Sequence, residues 1–255
     1  MLRKFLFILA QLWAFVTIPI VFLLVAAPVT TLLIPFPVRY RLMGVGPTWK
    51  IFSRWTLHFG CWAKVYARDE RAPEFKTYPP KGLYIANHQS FMDIPLVLTQ
   101  FQVPPIMKKE VLYIPIIGLM AWAGGAMIVS RRKRNSRKKV FIQARRRLVE
   151  QGFAVQYYPE GTRNRFSDSP KAYGDIKVTL IHLAFEGNVP VIPVSIYGTR
   201  DVLSKRGFIN PGKQVGIYCQ NALNPADYPD ATSFAKAAWA KVQEGHAQLK
   251  VQLES

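Results

Sequence analysis

Residues 5–38 contain no charged side chain, and an apolar run of this kind predicts helix in or against a bilayer, because about 20 such residues cross one. At ~1.5 Å per residue the whole run would make a helix of roughly 50 Å, longer than the ~30 Å hydrocarbon core, so one straight span fits poorly. Pro19, Pro28, Pro35 and Pro37 supply kinks and a stop. The run is then either a tilted span ending near Pro28 or two shorter helices dipping into one leaflet. A secretory signal competes because Arg3 and Lys4 give a basic start, but its apolar region would be about 7 to 15 residues, and no small-x-small cleavage site bounds this one.

The pattern changes at residue 49. Plotted at about 100° per residue over 49–68, Lys50, Arg54, His58, Lys64 and Arg68 share one face, and Ile51, Phe52, Trp55, Phe59, Trp62 and Tyr66 the opposite one. That predicts a helix lying in the headgroup zone with its aromatic side down; a helix packed on the domain has the same pattern. Residues 69–81, with Pro73, Pro79 and Pro80, read as a linker. Beyond it, short apolar runs at 83–86, 126–130, 153–158, 191–197 and 215–219 predict strands, with helices between them, including 136–150 and a polar helical stretch over 232–253. The expected organisation is membrane-anchoring and interfacial helices over 1–68, followed by an α/β domain over 69–255.

Composition narrows the partners. The formal net charge of +19 asks for an anion: nucleic acid, an acidic lipid surface, a phosphorylated substrate or an acidic carrier protein. The densest basic cluster, from Arg131 to Arg147, has Val140, Phe141, Ala144 and Leu148 as an apolar stripe; its cations spread around the remaining circumference, which argues for a solvated helix face and against nucleic-acid binding. Cys61 and Cys219 are two thiols far apart, so there is no disulfide framework and no cysteine cluster for zinc.

Candidate chemistry starts at Asn87-His88-Gln89-Ser90-Phe91-Met92-Asp93, which follows a predicted strand. A five-residue offset on a continuous helix would place the two side chains about 140° apart, so they meet only if His88 sits in a turn. Asp93 would then fix the tautomer and orientation of His88, whose other nitrogen could take a proton from a substrate hydroxyl. Ser90-x-x-Asp93 also fits a capping box, in which Asp93 holds backbone donors and nothing else. A second turn, Tyr158-Pro159-Glu160-Gly161-Thr162-Arg163-Asn164, follows the strand at 153–158. The Arg163 fork suits a phosphate or carboxylate, and Glu160 could accept from a polyol hydroxyl or orient Arg163. The two could equally form an exposed ion pair of little consequence.

Two further segments, a strand from Gly125 that ends in Arg131 and the proline-punctuated strand from Val189 to Val194, complete an ordered set of four. With these blocks the chain resembles the 1-acyl-sn-glycerol-3-phosphate acyltransferase family, and Lys108-Lys109-Glu110-Val111-Leu112 is similar to that family's basic segment between its first two blocks. The resemblance covers roughly residues 80 to 220. It departs from the family pattern at Lys177-Val178-Thr179, where a Lys-Lys-Gly-like run is common, and at Tyr158, where Phe is common. It implies a mostly parallel central sheet flanked by helices, with the active groove along one edge. It implies transfer of a fatty acyl group from acyl-CoA or acyl carrier protein to the sn-2 hydroxyl of lysophosphatidic acid, with no metal and no cofactor. His88 and Asp93 would be catalytic; Lys108, Arg131 and Arg163 would hold the acceptor phosphate, and Glu160, with Gly161 and Thr162 in the same turn, the glycerol. Membrane phospholipids would surround the anchor. Arg39, Arg41, Lys50 and Arg54 outnumber Arg3 and Lys4, which places the catalytic part on the cytoplasmic side, of the inner membrane in a bacterium. Two readings stay open beside this one: a related acyltransferase with another lipid acceptor, and a catalytically silent basic protein of the membrane surface.

Overall fold

The structure, a computed structural model, describes residues 2–26, 28, 32, 38–77, 80–103, 105–114, 118, 121–122, 125–130, 134–164, 167–204 and 207–255. Two helical stretches come first: α1 (Leu2–Val21), continued by a π-helical turn over Phe22–Ala26, and α2 (Val38–Trp55), continued by another over Thr56–Gly60. Strands β1 (Lys64–Asp69), β7 (Gln214–Cys219), β6 (Val191–Tyr197), β2 (Leu83–Ala86) and β5 (Val155–Tyr157) follow in that spatial order as one sheet, parallel throughout except between β6 and β7. The expected mostly parallel sheet flanked by helices is therefore present. The run at 126–130 lies outside it: β4 (Met127–Val129) pairs with β3 (Ile106–Lys108) in a two-stranded parallel ribbon. A bridge from Pro105 to Gln156 attaches that ribbon to β5.

A parallel sheet covered on both faces needs strands that are apolar throughout, which is why β2 and β6 read as continuous apolar runs. Tyr84 and Ala86 face a core shared with Leu57, Cys61, Leu96 and Phe101, whereas Leu83 and Ile85 face a second core with Val140, Leu148, Ile181, Phe234 and Trp239. The second core is roofed by α4 (Arg134–Arg145), α5 (Thr179–Glu186) and α7 (Ala231–Glu254). Asp230 starts α7 by accepting from the backbone N–H groups of Thr232 and Ser233, each at 2.8 Å. Pro193 lacks a donor but sits one position beyond the Val194–Cys219 end of the β6–β7 pairing, where its carbonyl still accepts from Gln220 N–H at 3.0 Å.

The helix expected over 49–68 does not run its full length. It ends in the turn at Thr56–Gly60, and residues 64–69 form β1, hydrogen-bonded in parallel register to β7 from Lys64–Gln214 to Asp69–Cys219. Lys64, Tyr66 and Arg68 satisfy a period of two as well as they satisfy 3.6, and the open edge of β7 decides between them. The division expected at 68/69 consequently falls inside β1. The helix also buries neither of its two marked faces: Ser53, Thr56 and Leu57 form the buried stripe, while Ile51, Phe59, Arg54 and His58 are all exposed. Residues 69–77 are an ordered strap, not a loose linker. Arg71 is buried there, paired bidentately with Asp69 at 2.9 Å twice and donating to Phe75 O at 3.1 Å and the Tyr84 hydroxyl at 3.2 Å. In the basic cluster, Val140, Ala144 and Leu148 are buried as expected, and Arg137, Lys138 and Lys139 are exposed. Arg147 departs from the solvated pattern: it is buried, donating to Gly125 O at 2.6 Å.

Among the described residues, one helix, Lys4–Leu24, is long and apolar enough to cross a membrane. It leans on the domain through its inner side, where Ala14 and Phe22 are buried and Ile18 packs against the first core, and through a few polar contacts. Gln11 exchanges two hydrogen bonds with the backbone of Ile209, at 2.6 and 2.7 Å, and the Trp13 indole donates to Phe59 O at 2.9 Å. Its outer side, including Phe5, Leu6, Ile8, Leu12, Phe15 and Leu24, is exposed.

Candidate active site

The chemistry-bearing residues gather where β2, β3, β5 and β6 all end, as the parallel register requires. Beyond Ala86 the chain leaves β2 through Asn87, whose side-chain amide donates to Ile196 O and accepts from Ile196 N–H, both at 2.8 Å. This clamp holds the following turn against β6. His88 sits in the turn, and helix α3 (Asp93–Leu98) begins five residues later. His88 Nδ1 and Asp93 Oδ2 are 2.7 Å apart. The same Oδ2 accepts from Gln89 N–H at 2.7 Å and Ser90 N–H at 3.0 Å. The two readings of this segment are therefore both present, since one carboxylate oxygen holds the start of the helix and the imidazole together. With Nδ1 carrying the proton toward Asp93, Nε2 is left with its lone pair.

The second turn closes over the first. Asn164 N–H donates to His88 O at 2.8 Å, and the Tyr158 ring stacks on the His88 ring with centroids 4.4 Å apart. The ring at 158 therefore braces the imidazole directly. Gly161 turns the chain at φ +68, a left-handed conformation that suits glycine. Past it, Arg163 lies over the Phe91 ring, 4.0 Å from the centroid. His88, Phe91, Lys108, Gly161, Thr162 and Arg163 line one groove of about 450 Å³, with Ile94, Val129, Val140 and Phe141 as part of its apolar wall and Lys177 among its cations. A second cavity of about 460 Å³ lies across Phe91 and Arg163, toward Arg200 and Asn210.

Glu160 does not line the groove. It is 4% exposed, Oε1 accepts from Lys171 N–H at 3.2 Å, and Oε2 has no partner within hydrogen-bond distance among the described residues. Burial is the largest influence on its carboxyl and lifts it from 4.5 to about 7, against the pull of the Lys171 and His88 backbone donors and the Lys171 charge. This burial rules out the exposed ion pair with Arg163 that the sequence left open. Arg131 lies outside the described residues; the strand before it brings Val129 into register with Lys108. Burial pushes the Cys61 and Cys219 thiols up to about 12, so neither is a ready nucleophile. Among the described residues, no three His, Cys, Asp or Glu side chains could hold a metal ion.

Asn87, Gln89 and Thr199 were not singled out from the sequence. Thr199 is fully buried, and its hydroxyl donates to Asp93 Oδ1. A polar Gly198-Thr199 pair directly after an apolar strand, at the end where parallel sheets present ligand groups, is the signal that points to it.

The family model described as Acyltransferase matches residues 67–197. The 1-acyl-sn-glycerol-3-phosphate acyltransferase of Haemophilus influenzae is 29% identical over 163 residues, covering 62% of this chain and 63% of that protein. The mouse 1-acyl-sn-glycerol-3-phosphate acyltransferase alpha is 30% identical over 162 residues, covering 60% of this chain and 55% of that protein. The matches thus span less than two thirds of either relative's own length. The crystal structure of the 1-acyl-sn-glycerophosphate (LPA) acyltransferase PlsC from Thermotoga maritima superposes with a TM-score of 0.79, covering 97% of this chain and 98% of that one. At 23% identity that likeness speaks for the fold.

Proposed function

Because the chain belongs to the acyltransferase family, we propose that it moves a fatty acyl group from an acyl thioester to the sn-2 hydroxyl of lysophosphatidic acid, giving phosphatidic acid. The observation that carries this reading is the His88–Asp93 contact at 2.7 Å at the rim of an apolar groove that also holds Lys108 and Arg163. The acceptor hydroxyl gives its proton to His88 Nε2 as its oxygen attacks the thioester carbonyl. A C–O bond forms, the C–S bond breaks, and the imidazolium returns the proton to the departing thiolate. A thioester is already activated, so no acyl-enzyme is required, and neither buried cysteine supplies one.

Lys108 and Arg163, with Arg131, bind the acceptor phosphate through charge-assisted hydrogen bonds. Gly161 and Thr162 shape the wall beside it, and the buried Glu160 backs that wall from behind the turn instead of touching the glycerol as the resemblance implied. The groove's apolar wall takes an acyl chain, and the exposed side of α1 with Ile51 and Phe59 rests in lipid, so both tails stay partly in the bilayer. The donor is acyl-CoA or acyl carrier protein, no metal or cofactor takes part, and the excess of cations after the apolar run favours the cytoplasmic side.

The phosphate separates this reading from its alternatives. Purified enzyme is assayed with lysophosphatidic acid and with monoacylglycerol, each with both donor types. Transfer should depend on the acceptor phosphate, and Arg163→Ala should cost on the order of ten- to hundredfold in kcat/KM with lysophosphatidic acid but little with monoacylglycerol. Equal losses on the two acceptors would assign Arg163 to the fold and overturn the phosphate clamp. No transfer to any lipid would leave the silent surface protein.

A further inference from the structure

We propose that Thr199 is a positioning residue for acyl transfer, locking the Asp93 carboxylate so that Asp93 in turn holds the His88 ring. This rests on His88 acting as the base. The Asp93 carboxylate is fully buried and takes three donors on Oδ2: His88 Nδ1, Gln89 N–H and Ser90 N–H. All three come from the same short turn, so they move with it. Oδ1 receives its hydrogen bond from Thr199 Oγ1, on a different strand end 106 residues away. Rotation of the carboxylate about its Cβ–Cγ bond would carry Oδ2 away from the imidazole, and the Thr199 contact opposes that rotation.

The surroundings of Thr199 are built for this contact. Gly198 turns the chain at the end of β6 with φ +79, and a Cβ there would stand 2.3 Å from Gln214 O, so glycine alone passes the chain through this point. The turn sets Thr199 at the carboxyl end of central β6, where it is fully buried. Its hydroxyl has two acceptors in reach, Asp93 Oδ1 and, at 3.4 Å, Gln89 Oε1. A hydroxyl carries one proton, and the ionised carboxylate claims it over the neutral amide. Gln89 is itself held in place, its Nε2 donating to Asp168 O at 3.1 Å and standing 3.3 Å from His246 Nε2. Burial takes the His246 imidazole down to about 4, so it is neutral and can accept from the Gln89 amide. Through Gln89 the C-terminal helix α7 thus backs the same turn.

The test compares Thr199→Val, Thr199→Ser and His88→Ala in the full-length protein, in micelles with acyl-CoA and lysophosphatidic acid. Val keeps the shape and removes the donor. We expect kcat to fall about ten- to hundredfold, the loss of one charged hydrogen bond, with KM for either substrate within about twofold of wild type. Ser keeps the donor and loses a methyl group; it should return kcat to within about threefold of wild type. A merely structural threonine would give the reverse order, because packing depends on the methyl group. Histidine-selective 15N labelling of a chain with four histidines gives a readout without turnover: the His88 Nδ1–H resonance, assigned by its loss in His88→Ala, should shift or broaden in Val and not in Ser. If Val does not fold, Thr199→Ala replaces it against the same Ser reference. Wild-type kcat in the donor-less variant, or a Ser variant as slow as Val, overturns the inference. An active His88→Ala would instead bring down the base assignment and this inference with it, whereas an inactive His88→Ala beside an unaffected Thr199→Val would bring down this inference alone.

Discussion

The outer side of α1 and the turn around His88 depart from ordinary side-chain placement in opposite directions. On α1 and the turn that continues it, Phe15 is 80% and Leu24 73% exposed; under the turn at His88, Asp93 and Thr199 are 0% exposed. Apolar surface left in water and polar groups withdrawn from it are each costly, the first at about 25 cal/mol per Å² and the second unless hydrogen bonds compensate. Each region meets its cost with a different partner. The turn is compensated inside the chain, where Asp93 alone takes four hydrogen bonds. The apolar side of α1 has no such compensation among the described residues, and α7 shows what a compensated helix looks like: it buries Phe234, Ala238, Trp239, Val242 and Leu249 in a continuous stripe. A region that satisfies itself is preorganised, and a region that does not has apolar surface to offer a lipid phase. The proposed acyl transfer between a lipid and a thioester would use both.

The hardest test of the buried half is Asp93→Asn. The amide is nearly isosteric, yet it replaces an acceptor of four hydrogen bonds with a group carrying its own donors, and it removes the charge that stabilises the imidazolium. We expect kcat to fall by about 10² to 10⁴ with KM nearly unchanged. Loss of thermal stability with normal kcat would mean that Asp93 acts as the helix cap and nothing more, and the contrast between the two regions would lose its functional half.

Most of the sheet was legible because strands buried on both faces leave an unbroken apolar run: β2 and β6 fall at 83–86 and 191–197 as read. The edge strand β1 was not, since four of its six residues are exposed and its alternation coincides with a helical period over five residues. In the site, His88, Asp93, Gly161, Thr162 and Arg163 could be found from motif spacing, and the structure brings all five to one end of the sheet. Glu160 was legible as a residue but not as an environment. Its hydrogen-bond partner is the backbone N–H of Lys171, eleven residues on, a contact that no local pattern encodes. Thr199 and Asn87 act by contacts across 106 and 109 residues, and one sequence without tertiary information does not reveal such pairs.

Glu160 sharpens the comparison from the side of stability. Its carboxyl is raised to about 7 from an ordinary 4.5, chiefly by burial. A group whose folded value lies above its unfolded one contributes stability that is fully present below the unfolded value and is lost as pH rises through the folded one, so the window here runs from about 4.5 to about 7. Glu160→Gln removes the ionisation and should make the protein more stable than wild type at about pH 8, by about 1–3 kcal/mol, with the difference vanishing below about pH 4.5. Thermal unfolding in detergent at the two pH values measures it. A difference independent of pH would mean that the ionised carboxylate is not what burial opposes.

The smallest effect belongs to the exposed half. Phe59 is 60% exposed on the side of the α2 turn where Ile51 also stands clear of the domain, and its backbone carbonyl already receives the Trp13 indole of α1. If this face rests in lipid, the Phe59 ring is transferred from water when the protein binds. Part of a ring's full burial is worth about 1 kcal/mol, so Phe59→Ser should weaken partition onto phospholipid vesicles by about fivefold. Because the contribution is apolar, the ratio between variant and wild type should hold from low to high salt. Replacing Arg54, which is also exposed on α2, should matter at low salt and fade as the charge is screened. Sedimentation with vesicles at two ionic strengths separates the two. Equal partition of Phe59→Ser and wild type would place this face outside the bilayer and leave α1 to hold the protein there alone.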